Sequence, residues 1–254
     1  MDQPLQGRTA VVTGASSGLG LHFSKLLAAH GARVALMARR VERLEAAVKE
    51  IEAAGGVARA FALDVADAKA IAPALEAAQD ALGPLAIMIN NAGVGGEGLA
   101  LEISAEDWDQ CFAVNVRGVF LGSREAARLM LANGMAEAGH ARIINISSIG
   151  AHEVLPGLPA YCASKAAVAQ LTRVLAREWA RPLIAVNAIC PGYIETELNS
   201  EWFASEGGQK QLKGWPRRRF MVAEDLDAAL MMLAGPAARA ITGSVITLDD
   251  GQTL

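Results

Sequence analysis

Aromatic side chains are scarce in this chain, at 5% of 254 residues with only two tyrosines. A core must therefore come from aliphatic and small groups. Cysteine is also rare. Cys111, Cys162 and Cys190 are odd in number, widely spaced and without a CxxC pair, which argues against a disulfide framework. They read as buried free thiols in a reducing, cytoplasmic setting. No charge dominates, the net being -4, so there is little reason to expect nucleic acid as a partner. No apolar run approaches the ~20 residues that span a bilayer, so no membrane partner is expected. The polar opening Met1-Asp2-Gln3-Pro4 does not read as a signal peptide. With 52% hydrophobic and 20% charged residues, a disordered or collagen-like chain is excluded.

What is abundant is glycine, at 25 residues, set into short β-branched runs that alternate with long Ala/Leu-rich stretches. Strands are expected at 9–13, 33–37, 57–62, 85–89, 141–146, 184–189 and 244–248. Helices are expected at 17–30 (spacing at Leu21, Lys25, Leu26 and Ala29), 41–54, 68–82, 105–132, 160–180 and 224–234. Ser104 is a candidate cap for the long helix, with Asp107 three residues on. Residues 197–220 are polar and irregular. Consecutive apolar residues in the strands suit parallel strands covered on both faces. The alternation implies right-handed βαβ units. The expectation is α/β, one domain over 1–254: a Rossmann-type doubly wound parallel sheet of about seven strands. Its ligand crevice should lie beyond the carboxyl ends of the strands, where strand order reverses.

After the first strand the chain reads Thr13-Gly14-Ala15-Ser16-Ser17-Gly18-Leu19-Gly20 and opens a helix. Gly14 suits a tight turn, Gly18 leaves room for a pyrophosphate, and Gly20 allows close helix–sheet packing. The helix N-terminus offers free N–H groups and a favourable dipole. The TGxxxGxG spacing resembles the short-chain dehydrogenase/reductase family, and the resemblance continues over residues 6–252. It implies a nicotinamide cofactor held by this turn, with Ser16, Ser17 and Leu19 contributing.

The end of the second strand, Leu36-Met37-Ala38-Arg39-Arg40, lacks the acid that would bind a ribose 2′-hydroxyl. Arg39 suits a 2′-phosphate, with Arg40 a second candidate. NADP(H) is therefore expected over NAD(H), although stacking of Arg39 on the adenine is the alternative. Many NADP-using relatives carry a basic residue where Ser17 stands. Asp64 and Val65 resemble the family's adenine contacts, a helix cap being the other reading of Asp64. Asn90-Asn91-Ala92-Gly93 resembles the NNAG segment, which implies that Asn91, Ala92 and Gly93 line the cofactor. Pro191, Gly192, Ile194 and Thr196 resemble the PGxxxT segment, which implies contacts to the carboxamide and pyrophosphate.

Tyr161 and Lys165 are spaced i, i+4, so they share a helix face. A free tyrosine, with a pKa of about 10, is a poor acid at neutral pH, and a nearby ammonium should lower it. Tyr161-Cys162-Ala163-Ser164-Lys165 matches the family's YxxxK motif. Ser148 lies 13 residues earlier, the family's spacing for a serine that holds the substrate oxygen. Asn115 interrupts an apolar helix, and the resemblance implies that it holds a water linking Lys165 to solvent. Asn115, Ser148, Tyr161 and Lys165 thus form the expected catalytic set. No metal is expected.

On the substrate side, the resemblance implies a lid at about 197–220. Ser148, Tyr161, His152, Leu155, Tyr193 and Trp202 are the candidate substrate residues. The activity implied is interconversion of a carbonyl and a secondary alcohol, with a 3-oxoacyl thioester as the guessed substrate. An alcohol, sugar or steroid dehydrogenase is the alternative, and a non-catalytic nucleotide-sensing scaffold is weaker still. Arg217, Arg218 and Arg219 either meet the phosphates of coenzyme A or an acyl carrier protein, or pair with acids such as Glu224 and Asp225. The resemblance implies a homotetramer, with a homodimer the alternative.

Overall fold

The computed structural model describes residues 3–194 and 203–254. Seven parallel strands form one sheet in the order β3-β2-β1-β4-β5-β6-β7. They are β1 (Thr9–Thr13), β2 (Arg33–Ala38), β3 (Val57–Ala62), β4 (Leu85–Asn90), β5 (Arg142–Ile146), β6 (Ala185–Pro191) and β7 (Val245–Leu248). The order reverses between β1 and β4, so the crevice opens where these two strands part.

Every residue of β1, β4, β5 and β6 is buried. Successive side chains alternate between faces. Ala10, Val12, Ile87 and Ile89 belong to one core, and Val11, Leu85 and Met88 to the other. The first core is closed by α1 (Gly18–Ala29), α2 (Val41–Ala53) and α8 (Asp227–Ala234), through Phe23, Leu27, Leu44, Ile51, Leu230 and Leu233. The second is closed mainly by α3 (Ile71–Leu82) and α5 (Val119–Ala132), through Ile71, Leu75, Leu121 and Met130.

The expected elements are present, with four differences. The buried stripe of α1 is Gly20, Phe23, Ser24, Leu27 and Ala28, not Leu21, Lys25, Leu26 and Ala29. Lys25 points outward, because close packing of Gly20 on the first turn sets the rotation of the helix. The helix expected over 105–132 is α4 (Ala105–Phe112), a π turn (Ala113–Gly118) and then α5. Ser104 caps α4 as expected, accepting from Asp107 N–H at 3.0 Å. The irregular 197–220 stretch contains α7 (Glu206–Gly214). Finally, Cys162 is only half-buried, while Cys111 and Cys190 are buried, all three being free thiols. The remaining helix, α6 (Pro159–Glu178), carries Tyr161 and Lys165. Among the described residues no helix is long and apolar enough to cross a membrane.

Candidate active site

The turn after β1 is built for close approach. Gly18 has φ +54°, and a Cβ there would point into open space. Gly20 is the opposite case: a Cβ would collide with the Gly14 carbonyl and lie 2.5 Å from Asn91 Nδ2. The Ser17 side chain makes no capping bond and the first turn of α1 has no acid. Its N–H groups thus remain available to an anion. An open glycine cradle before an uncapped helix N-terminus fits a dinucleotide pyrophosphate.

Arg40, rather than Arg39, reaches this turn. Its Nη2 donates to Ser16 Oγ and Ser17 Oγ, both at 2.9 Å. Arg39 and Arg40 are both exposed. Asp64 accepts from Ala66 N–H at 2.9 Å, so one of its oxygens closes a local turn. Val65 packs against the π turn, where a Cβ on Gly118 would meet its carbonyl at 3.0 Å.

The two asparagines after Ile89 divide their work. Asn91 Nδ2 donates to the Thr13 carbonyl at 3.0 Å, and Thr13 Oγ1 accepts from Asn91 N and Ala92 N. These bonds tie the glycine turn to the end of β4. Asn90 donates to Ser123 Oγ at 2.9 Å and Asn145 Oδ1 at 2.8 Å, and Asn145 donates to Thr172 Oγ1. A buried polar chain therefore joins β4 and β5 to α5 and α6, with its members satisfied by one another.

The four expected catalytic residues meet at the carboxyl ends of β4 and β5. Ser148 follows β5 and accepts from Gly150 N–H at 3.1 Å. Lys165 is buried, and its Nζ donates to the Ile146 carbonyl at 2.9 Å. Asn115, fully buried in the π turn, accepts from Val94 N–H at 2.9 Å and donates to the Val94 carbonyl and Ser164 Oγ. Gly93 fills the gap between them: a Cβ there would lie 3.4 Å from Asn115 Oδ1 and 3.5 Å from Lys165 Nζ. The wider π turn aims Asn115 at this backbone. The preceding Ser147 is occupied in donating to the Lys165 carbonyl at 2.9 Å.

The electrostatics correct one expectation. The net shift of Tyr161 runs opposite to the lowering expected from a nearby ammonium. Burial pushes the phenol above its ordinary value, opposed by the Ser148 hydroxyl and reinforced by charge on Cys162, Cys111 and Tyr193. Burial also brings Lys165 down to about 8. The ammonium sits 5.5 Å from the centroid of the Tyr161 ring and is held by a carbonyl, so desolvation outweighs attraction for both groups.

Pro191 and Ile194 are buried in and after β6, and Gly192 N–H donates to the Leu248 carbonyl at 2.9 Å. Tyr193 stacks on Trp215 at 5.2 Å and meets Phe203 edge-on at 5.6 Å. It belongs to an aromatic wall that also includes Phe220, yet it still influences Tyr161. Leu155 lies beside Tyr161, both within 3.4 Å of where a Gly150 Cβ would stand. His152 is exposed, with its Nε2 3.5 Å from Thr247 Oγ1 of β7. Trp202 and Thr196 lie outside the described residues. Arg217 pairs with Asp250, and Arg219 with Asp225 and Asp250.

Three contributors were missed in the sequence. Ser164 was legible only as a small residue inside the YxxxK motif. Cys111 donates to Ser164 Oγ at 3.8 Å but sits 50 residues from the motif. Gln252 accepts from Tyr193 N–H at 2.6 Å and donates to the Tyr193 carbonyl at 3.2 Å, and nothing local marks it.

A family model described as short chain dehydrogenase matches residues 8–207. The chain is 36% identical over 253 residues to the D-threitol dehydrogenase of Mycolicibacterium smegmatis, covering 100% of this chain and 95% of that protein. It is 39% identical to the L-tagatose-forming galactitol 2-dehydrogenase of Cereibacter sphaeroides, covering 98% and 96%. A solved structure described as a putative short-chain alcohol dehydrogenase, from Sinorhizobium meliloti, superposes with a TM-score of 0.92 at 37% identity, covering 100% and 99%. Similarity singles out no one activity, since relatives with differing activities lie close together in identity.

Proposed function

The chain belongs to the short-chain dehydrogenase/reductase family, and from that premise we propose that it interconverts a polyol or sugar-type secondary alcohol and its ketone with NADP(H). It is an NAD(P)(H)-dependent oxidoreductase at the level of the family. The cofactor, when bound, supplies or accepts the hydride. Tyr161 holds the proton that the carbonyl oxygen receives, and the Ser148 hydroxyl orients that oxygen. Lys165 keeps a positive charge near the phenol below about pH 8. Asn115 fixes the Val94 backbone and, with Gly93, the approach to Lys165. The convergence of Ser148, Tyr161, Lys165 and Asn115 at the carboxyl end of the sheet carries this reading.

NADP(H) is favoured by Ala38-Arg39-Arg40, which brings two guanidinium groups and no acid to the end of β2. A 2′-phosphate suits a guanidinium fork. The substrate class rests on the space beside Asn115, whose partners Val94 and Cys111 line it. A cavity of about 310 Å³ is lined by Val94, Gly96, Glu97, Asp107, Gln110 and Cys111. Its acids and amide suit hydroxyl groups better than phosphates. Arg217 and Arg219, two of the three arginines offered for a thioester's phosphates, are engaged by Asp250 and Asp225. This moves the proposal from a 3-oxoacyl thioester to the alcohol and sugar alternative. A homotetramer is kept in the proposal, with Trp108, Phe120 and Val174 as exposed apolar groups on α4, α5 and α6.

The test is a panel of galactitol, D-threitol and gluconate with NADP+ and NAD+, and acetoacetyl-coenzyme A with NADPH. Oxidation of a polyol with higher kcat/KM for NADP+ is expected. Turnover confined to the thioester would overturn the substrate class, and preference for NAD+ would overturn the cofactor assignment.

A further inference from the structure

Two of the three non-glycine residues with positive φ among the described residues lie in or beside one ion-pair cluster. Asp250 has φ +55° and Arg218 φ +50°. Left-handed backbone is unfavourable for a residue with a Cβ, and such outliers persist where the surroundings over-determine them. Arg218 sits between Arg217 and Arg219, and both of these grip Asp250. Arg217 Nη1 pairs with Oδ1, and Arg219 Nε lies 2.8 Å from Oδ2. The Asp250 side chain is only 7% exposed. Asp225 holds Arg219 from the other side at 3.0 Å.

The same C-terminal turn holds the loop after β6. Gln252 brackets the backbone of Tyr193 and donates to the Arg219 carbonyl at 3.4 Å. Gly192 packs so closely that a Cβ would collide with Gln252 Oε1 and lie 2.8 Å from Asp249 Cα. Met221 N–H donates to the Tyr193 carbonyl at 3.1 Å. Tyr193 in turn stacks on Trp215, which precedes the arginine triplet.

We propose that Asp250 is a positioning residue for the reaction. By gripping Arg217 and Arg219 it holds the aromatic wall of Tyr193, Phe203, Trp215 and Phe220 in place. This rests on the reading that the loop after β6 faces the substrate. Asp250 touches no reacting atom and acts through the two arginines and Tyr193. Glycine would suit its backbone better, so an acid here is explained by what its carboxylate holds.

The test compares wild type with Asp250→Gly and Asp250→Asn, each saturated with NADPH. Hydrogen exchange should accelerate at least ~10-fold over residues 215–221 in Asp250→Gly, with α1 and α6 unchanged. The melting temperature should hold or rise, because glycine relieves the strained φ. With galactitol and NADP+, KM should rise ~5-fold or more while kcat stays within about two-fold. Asp250→Asn keeps the backbone and the polar group without the charge, and should fall between wild type and Asp250→Gly. Exchange over 215–221 equal to wild type would overturn the proposal, as would uniform acceleration with a lowered melting temperature. If wild type does not oxidise galactitol, the substrate class above fails, and exchange alone decides the role of Asp250.

Discussion

Lys165 Nζ sits 5.5 Å from the centroid of the Tyr161 ring and gives its hydrogen bond to the Ile146 carbonyl at 2.9 Å. The ammonium therefore lies over the ring while a backbone oxygen supports its charge. Burial makes that charge costly, and the pKa falls to about 8.

The sign of the resulting pH dependence follows from linkage. Below about 8, folded and unfolded chains both carry the Lys165 proton, and the folded state bears the full cost of the buried charge. Between about 8 and the unfolded value near 10.4, the unfolded state binds more protons, so stability from this group rises with pH. A Lys165→Met variant lacks the effect. Its stability advantage over cofactor-free wild type should shrink by about 3 kcal/mol from pH 7 to pH 10.5, at ~1.36 kcal/mol per unit. Urea unfolding at a series of pH values measures this, and a gap independent of pH would contradict it.

Tyr161→Phe removes the proposed proton donor and keeps the ring. Turnover should fall at least ~10²-fold, within the range of general acid–base contributions. NADPH binding, read by fluorescence titration, should change little. Near-wild-type turnover would remove Tyr161 from the mechanism.

Arg40 donates to both serines of the glycine turn, and Arg39 stands beside it. Charge-assisted hydrogen bonds contribute roughly 1.5–3 kcal/mol, or about 10- to 100-fold in binding. Arg40→Ala should lose that much affinity for NADP+ and far less for NAD+, measured as KM for each. A larger selective loss in Arg39→Ala would return the phosphate to Arg39.

Gly18 and Gly20 should fail in different ways when changed to alanine. A Cβ at Gly20 meets the Gly14 carbonyl and Asn91, and overpacking of this kind costs about 1–3 kcal/mol. The melting temperature of cofactor-free protein should drop by ~2–4 °C for each kcal/mol lost. At Gly18 space is open but φ is +54°, so the fold should lose only about 1–2 kcal/mol while NADPH binding falls sharply. Thermal melts with and without NADPH separate the two, and equal loss of stability in both variants would contradict the assignment.

Much of the site was legible because its signals are local. Tyr161 and Lys165 share a face through helical spacing alone. The glycine turn needs only a strand before it and a helix after it. Strand and helix alternation implied the parallel sheet, and the structure places strand bounds within a residue or two of the expected ones. The stripe of α1 was misread because the alternative Leu/Ala positions are equally apolar. Only the contact of Gly20 with Gly14 and Asn91 selects the face. The π turn was invisible because it depends on Asn115 meeting Val94 and Ser164, partners 21 and 49 residues away.

The sequence by itself determined the strand–helix order, the glycine turn before α1 and the shared helix face of Tyr161 and Lys165, because each depends on backbone conformation over a few residues. Only the tertiary structure decided three further matters. It set which arginine reaches the turn, since Arg39 and Arg40 differ by one residue but project differently from the end of β2. It reversed the expected effect on Tyr161, since burial depends on everything packed around the phenol. It also gave Arg217 and Arg219 their partner, since Asp250 comes beside them only after β7 completes the sheet.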